Sequence, residues 1–284
     1  MVQFNYDSGV KKAIQAASEL YGDMLTEAII EIDNINRSVG NELGEGELAK
    51  IGLHAQSKLM NSEILEAWTS ILAGPDNTRD DIADMLFVAA GYLARYSRDI
   101  SVAVEVGSWL LNECIERVLI DASVLDGGSC KYSRLAAISH LSDFVAHYHD
   151  DYIIPYEDEY NVMMTTTRNM MVELIYSILN YACAEVEDIT EREMIIDRTV
   201  SDLNKVIESN KTKFCKTADE ANATIRKYEK LGVTTHAEES SLGYVIKSSV
   251  TVTGKDGKQY PEGKWLKGIN FVDAEFDVRD GEKY

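Results

Sequence analysis

Between residues 62 and 87 the chain reads SEILEAWTSILAGPDNTRDDIADMLF, and two acidic pairs stand within it, Glu63 with Glu66 and Asp81 with Asp84. Each pair is spaced i,i+3. On a helix such residues share a face with their Cβ atoms about 5 to 6 Å apart, so each pair can aim both carboxylates at one point. Two helices facing each other would then form a four-carboxylate box. Four like charges in an apolar bundle resist ionisation unless a hard cation neutralises them, which makes Mg²⁺ the expected occupant and Mn²⁺ the alternative. The chemistry such a site implies is metal-assisted attack on phosphate. Ile64, Leu65, Trp68, Ile71 and Leu72 crowd the first pair, and Ile82, Met85, Leu86, Val88 and Ala89 the second. Carboxylates in an apolar surround are costly unless they are used. Against this stands the plain fact that 48 Asp and Glu in one chain generate i,i+3 acid pairs on solvated helix faces by composition alone.

The elements that must position these acids follow from periodicity and breakers. Gly74 and Pro75 end one helix, and Asp76, Asn77 or Thr78 caps the next. The first acidic pair therefore falls on a helix over 46–73 and the second on a helix over 78–97. Residues 8–37 read as one or two amphipathic helices through Val10, Ile14, Leu20, Leu25, Ile29 and Ile32. A fourth helix over 101–120 carries Val104, Leu110, Leu111, Ile115 and Val118. Together they make a four-helix bundle. The turn Asp126-Gly127-Gly128-Ser129 marks a boundary.

At these residues a family resemblance can be stated. Glu-x-x-Glu, a gap, then an acid-x-x-Asp before an apolar run resembles the all-α nucleoside triphosphate pyrophosphatases, the MazG-like and dimeric dUTPase-like superfamily. The phrases LHAQSKLMNSEILEAW and DDIADMLFVAAGYLARYSRDI look like the second and third helices of a phage-type or bacterial MazG-like domain. The resemblance implies Mg²⁺ ligated by Glu63, Glu66, Asp81 and Asp84, and cleavage of an NTP or dNTP to the monophosphate and pyrophosphate. It departs from the family pattern at Asp81, where members usually carry the longer Glu. It also implies a homo-oligomer, since isolated bundles of this kind leave an apolar face exposed. A second likeness, to the tail of certain phage MazG-like proteins, lies in VIESNKTKFCKTADEANATIRKYEKLGVTTHAEESSLGYVIKSS and KWLKGINF, with a Ser-Asn-x-x-Lys phrase at Ser209, Asn210 and Lys213. The two matches span about residues 45–105 and 195–275.

In such a site Glu63, by position, would orient or deprotonate the attacking water. Cations for the triphosphate would come from Lys58, Arg79, Arg95 or Arg98, with Asn112 as a further polar contact. For each of these a solvated surface position is an equal expectation. The base and sugar of the nucleotide are left open.

Past the boundary, 131–152, 158–186 and 191–213 again read as helices, and VELIYSILNYACAEV runs in the register of ADMLFVAAGYLA. This suggests a degenerate second copy of the bundle that has lost its acids, with Met170 and Glu173 where a pair would stand. From Thr217 to Leu231 the pattern is helical and Gly232 ends it. VTTHAEES, GYVIKSSVTVT and KWLKGINFVDAEF then alternate like strands, with Asp256-Gly257 as a hairpin signal. The expected fold is mainly α: a MazG-like helical domain over 1–126, a second helical region over 127–215 and a small α+β module over 216–284.

The alternatives come from other classes. SHLSDFVAHYHDDY contains His140, His147, His149, Asp150 and Asp151, and His149-Asp150 could be the dyad of an HD-type phosphohydrolase, with His54 upstream and Asp188 or Asp197 downstream. A catalytically silent binding or decoy protein is the other. The net charge of −20 disfavours nucleic-acid binding through phosphates, and the dispersal of acids among Lys and Arg argues against mimicry of nucleic acid. With 45% hydrophobic residues and 3 Pro, the chain can bury a sizeable core. No run of 18 apolar residues and no signal-peptide core at MVQFNYDSGVKK lead to the expectation of a soluble cytoplasmic protein without membrane partners. Cys114, Cys130, Cys183 and Cys215 lack any CxxC spacing, so buried free thiols are expected.

Overall fold

The computed structural model describes residues 27–40, 47–73, 78–97, 114, 118, 136–139, 141–142, 173–184, 186 and 188–276. The structure is mostly helical, with a small β region near the C-terminus. The chain divides into two compact units, one of Met1–Asp33, Leu43–Asn204 and Phe276–Tyr284, the other of Asn34–Glu42 and Lys205–Glu275.

The helix α1 (helical at 27–38), which begins in the first unit and ends in the second, buries Ala28, Ile29, Ile32 and Ile35, one face at helical spacing, and Gly40 follows with φ +77°. The helix α2 (Glu47–Ala73) buries Met60, Ile64 and Ala67 and packs along α3 (Thr78–Ser97). Eight of the ten residues from Asp81 to Ala90 on α3 are buried hydrophobics or the buried Asp81 itself, so this helix is enclosed on most of its circumference. The same holds for α4 (helical at 173–182), which buries Leu174, Ile175, Ile178, Leu179 and Tyr181. The start of α5 (Ile189–Lys211) is fixed by Asp188, whose Oδ1 accepts from the Glu191 N–H at 2.9 Å. Its apolar stripe of Ile196, Val200, Leu203, Val206 and Ile207 recurs every three or four residues. Buried Arg192 gives its Nε–H to the Val186 carbonyl at 2.7 Å and an Nη–H to that of Val118 at 3.1 Å.

The second unit has a different logic. At the start of α6 (Ala218–Lys230) Thr217 Oγ1 accepts from Glu220 N–H, while the Glu220 carboxylate reaches back to the Lys216 N–H at 2.7 Å, a capping-box exchange displaced by one residue. Gly232, at φ +79°, ends the helix as its position predicts. Two antiparallel strands follow, β1 (Thr235–Ser240) and β2 (Gly243–Ser248), then a short hairpin of β3 (Val252–Thr253) and β4 (Gln259–Tyr260) turning through Gly257. Ala221 and Tyr228 of α6 close on Cys215, Val233, Ile246, Tyr260 and Leu266, which form the core.

Two strand expectations need correction. GYVIKSSVTVT is not one strand: Ser248 closes β2, and Val252–Thr253 pairs in a separate sheet. KWLKGINFVDAEF is not a strand either. It meets β2 at its start alone, through the Lys247–Trp265 bridge and two backbone bonds, Ser248 N–H to the Lys264 carbonyl and Leu266 N–H to the Ile246 carbonyl. A Cβ on Gly268 would meet the Lys213 carbonyl oxygen at 2.9 Å, so the segment turns there to lie against the end of α5. The alternation of apolar residues along it serves packing on that helix end.

Candidate functional site

All four candidate metal ligands lie on the packed pair α2 and α3. Glu63 is half-buried and Glu66 exposed on α2, while on α3 Asp81 is buried and Asp84 half-buried. Asp81 faces α2. Ser70, one turn beyond Glu66 on that helix, is hydrogen-bonded to its carboxyl, and the Glu66 carboxylate bears on it electrostatically. Only 8% of Asp81 is exposed, and its Oδ2 is buried without a hydrogen-bond partner. Burial pushes its carboxyl up to about 6. The Ser70 hydrogen bond works against that rise, and the Asp80 and Glu66 carboxylates add to it. A buried carboxylate oxygen without a donor is expensive, and a cation is one group that would satisfy it. Among the described residues, however, no group of three or more His, Cys, Asp or Glu stands close enough together to hold a metal ion. Carboxylate oxygens are hard donors, and the Asp81 oxygen is buried without a partner, but the described acids are not gathered around it.

The cationic candidates are distributed differently. Lys58 is exposed on α2. Arg79, in the first turn of α3, is committed to α5: its Nε–H and an Nη–H each donate to Asp202 at 2.7 Å, a bidentate pair with side chains 11% and 2% exposed. The guanidinium also lies 5.4 Å from the centre of the Phe276 ring. Asp202 was not anticipated from the sequence. The signal for it was available, an acid lying on the buried face of α5 between Thr199 and Val206. The side chain of Arg95, together with Arg98 and Asn112, lies outside the described residues.

Of the HD alternative, His140, His147, His149, Asp150, Asp151 and the side chain of His54 lie outside the described residues. Asp197 is exposed, and Asp188 caps α5. In the suspected second copy, Met170 is outside and Glu173 is half-buried on α4.

The Ser-Asn-x-x-Lys phrase has a visible structural task. Ser209 Oγ donates to the Val272 carbonyl at 2.8 Å, and Thr212 Oγ1 accepts the Val272 N–H at 2.9 Å. Asn210 donates to the Val206 carbonyl and accepts from Lys213 Nζ at 2.5 Å. Lys213 Nζ in turn lies 5.2 Å from the Trp265 ring centre and 5.9 Å from that of Phe271. The phrase clasps the 265–273 segment to the end of α5.

Cys114, Cys183 and Cys215 are buried free thiols. Among the described residues no helix is long and apolar enough to cross a membrane. Comparison with known proteins finds no matching family model, no matching curated protein and no matching solved structure.

Proposed function

We propose that the chain is a Mg²⁺-dependent nucleoside triphosphate pyrophosphohydrolase, acting on an NTP or dNTP to give the monophosphate and pyrophosphate. Asp81 carries the reading: a buried carboxyl with an orphan oxygen, held by Ser70 and facing the helix that bears Glu63 and Glu66. In this reading Glu66, Asp81 and Asp84, with Glu63, would hold the cation, Mn²⁺ being the substitute. When bound, the ion supplies charge neutralisation for the triphosphate and a more acidic water. Glu63 would be the residue that orients a water and takes its proton for attack at the α-phosphorus. Lys58 provides a mobile cation for the outer phosphates, and Arg95, Arg98 and Asn112 are the remaining contacts proposed from sequence. The helical part is proposed as a MazG-like bundle that works as a homo-oligomer in the cytoplasm.

The test is a panel of NTPs and dNTPs in Mg²⁺, assayed for pyrophosphate against orthophosphate. Pyrophosphate from one or a few nucleotides, lost in Glu66→Gln and Asp84→Asn, is the expected result. Release that survives both substitutions would remove the site assignment, and absence of release from every nucleotide would remove the activity.

A further inference from the structure

A second constellation lies on the β1–β2 hairpin and the residue that follows it. His236 on β1 is hydrogen-bonded through both ring nitrogens, Nδ1 to Ser249 Oγ at 2.9 Å and Nε2 to Glu238 Oε1 at 3.1 Å. The other Glu238 oxygen accepts from Lys247 Nζ at 2.6 Å. The order Lys247, Glu238, His236, Ser249 is thus a continuous chain of contacts. Strand register explains it. His236 lies directly opposite Lys247, Glu238 is two residues further along the same face, and the Ser249 N–H bonds the Thr234 carbonyl at 2.8 Å to extend the pairing by one step.

The direction of each hydrogen bond can be assigned. The hydrogen bond from Lys247 first, and that from His236 after it, hold the Glu238 carboxyl below the usual carboxylate range, so it is ionised and can only accept. A neutral imidazole bonded to that carboxylate must therefore carry its proton on Nε2. Nδ1 is left as the acceptor, and the Ser249 hydroxyl donates to it. A serine hydroxyl donating to an imidazole whose other nitrogen is held by a carboxylate has the arrangement of an activated nucleophile. The His236 and Glu238 side chains are 47% and 44% exposed, so a small reagent can reach the group.

We propose that Ser249 is a nucleophilic serine, with His236 as its base and Glu238 as a positioning residue, which takes an acyl group from small activated esters. Ser249 Oγ attacks the acyl carbon as its proton passes to His236 Nδ1. The ester bond to the leaving group breaks, and that group departs with the proton. Water, deprotonated by the same nitrogen, then attacks the acyl-serine, restoring the hydroxyl and releasing the acid. The open setting restricts the site to esters of good leaving groups.

The full-length protein would be treated with 4-nitrophenyl acetate and, separately, with an alkyl fluorophosphonate, and the modified residue mapped by mass spectrometry. A single adduct at Ser249 is expected, absent in Ser249→Ala and formed at least tenfold more slowly in His236→Gln. No adduct at Ser249, or equal labelling of His236→Gln, overturns the proposal. An independent readout, free of any folding defect in variants, is the ¹⁵N spectrum of His236 in the wild type. A protonated Nε2 with acceptor Nδ1 is expected, and the opposite tautomer would overturn the assignment.

Discussion

Replacing Asp202 by Leu should reveal how much of the helical unit rests on one ion pair. The Arg79 and Asp202 side chains are 11% and 2% exposed and share two bonds of 2.7 Å, so the Arg79 charge would lose both of these bonds while staying largely out of water. Each charge-assisted bond is worth about 1.5 to 3 kcal/mol, and stranding one member of a buried pair costs about 3 to 5 kcal/mol. Urea unfolding of Asp202→Leu followed by circular dichroism should therefore show a loss in that range at unchanged m-value. Arg79→Leu should lose a similar amount, for the reciprocal reason. The double variant should recover much of it, because replacing both members of a buried pair by apolar groups is close to neutral. A loss below about 1 kcal/mol in Asp202→Leu is what an exposed pair gives and would refute the buried-pair reasoning. The double variant also separates two roles for Arg79. If the residue serves structure alone, the KM for the nucleotide is unchanged in the double variant, and if it also touches the triphosphate, KM rises.

Asp81→Asn should stabilise the protein in EDTA at pH 7.5 while abolishing pyrophosphate release. The folded carboxyl sits at about 6 against an ordinary value of 3.8, so the unfolded chain releases its proton first and stability falls as pH rises from 3.8 through about 6. At about 1.4 kcal/mol per pH unit the full penalty above that window is about 3 kcal/mol, and urea titrations should show the two proteins converging below pH 4. A variant that is less stable than wild type at pH 7.5 would sink this account. Gly243→Ala should unravel the β1–β2 hairpin, since φ is +131° there and a Cβ would fall 2.5 Å from the Cys215 carbonyl oxygen. A loss of at least about 2 kcal/mol is expected by urea unfolding, and fast loss of hydrogen-exchange protection at Ile246 would accompany it.

The helices that carry the acids were legible because their signals are local. Gly74-Pro75 and Thr78 bracket the break between α2 and α3, and spacing alone put Glu63, Glu66, Asp81 and Asp84 on those two helices. Thr217 and Gly232 gave α6 its ends in the same way. What was not legible depends on distant partners. KWLKGINF alternates as a strand would, yet Lys213 and Gly268 bring it against the end of α5, and the alternation meets packing demands instead of a ladder. Arg79 looked like a cation free for phosphate because Asp202 lies 123 residues away. The hydroxyl, imidazole and carboxylate of Ser249, His236 and Glu238 meet only once β1 and β2 are in register. Periodicity fixes which face a residue takes, but it carries no information about which face comes opposite.

Charge distribution gives a way to separate a cation site from general screening. Residues 205–275 carry 12 Lys and Arg against 10 Asp and Glu, whereas the whole chain carries 28 against 48, so the remainder holds 16 against 38. That excess of anions repels itself in the compact state, and any salt will relieve it, with a Debye length of about 8 Å at 0.15 M. Mg²⁺ bound at Glu66, Asp81 and Asp84 would do more, because a ligand that binds only the folded state at ten times its Kd adds about 1.4 kcal/mol. The comparison is thermal unfolding of the full chain in MgCl₂ and in NaCl at matched ionic strength, for wild type and Asp84→Asn. Extra stabilisation by MgCl₂ in the wild type, lost in the variant, is the expected outcome. Equal effects of the two salts in the wild type would mean that the acids are a solvated face, and the proposed chemistry would lose its metal.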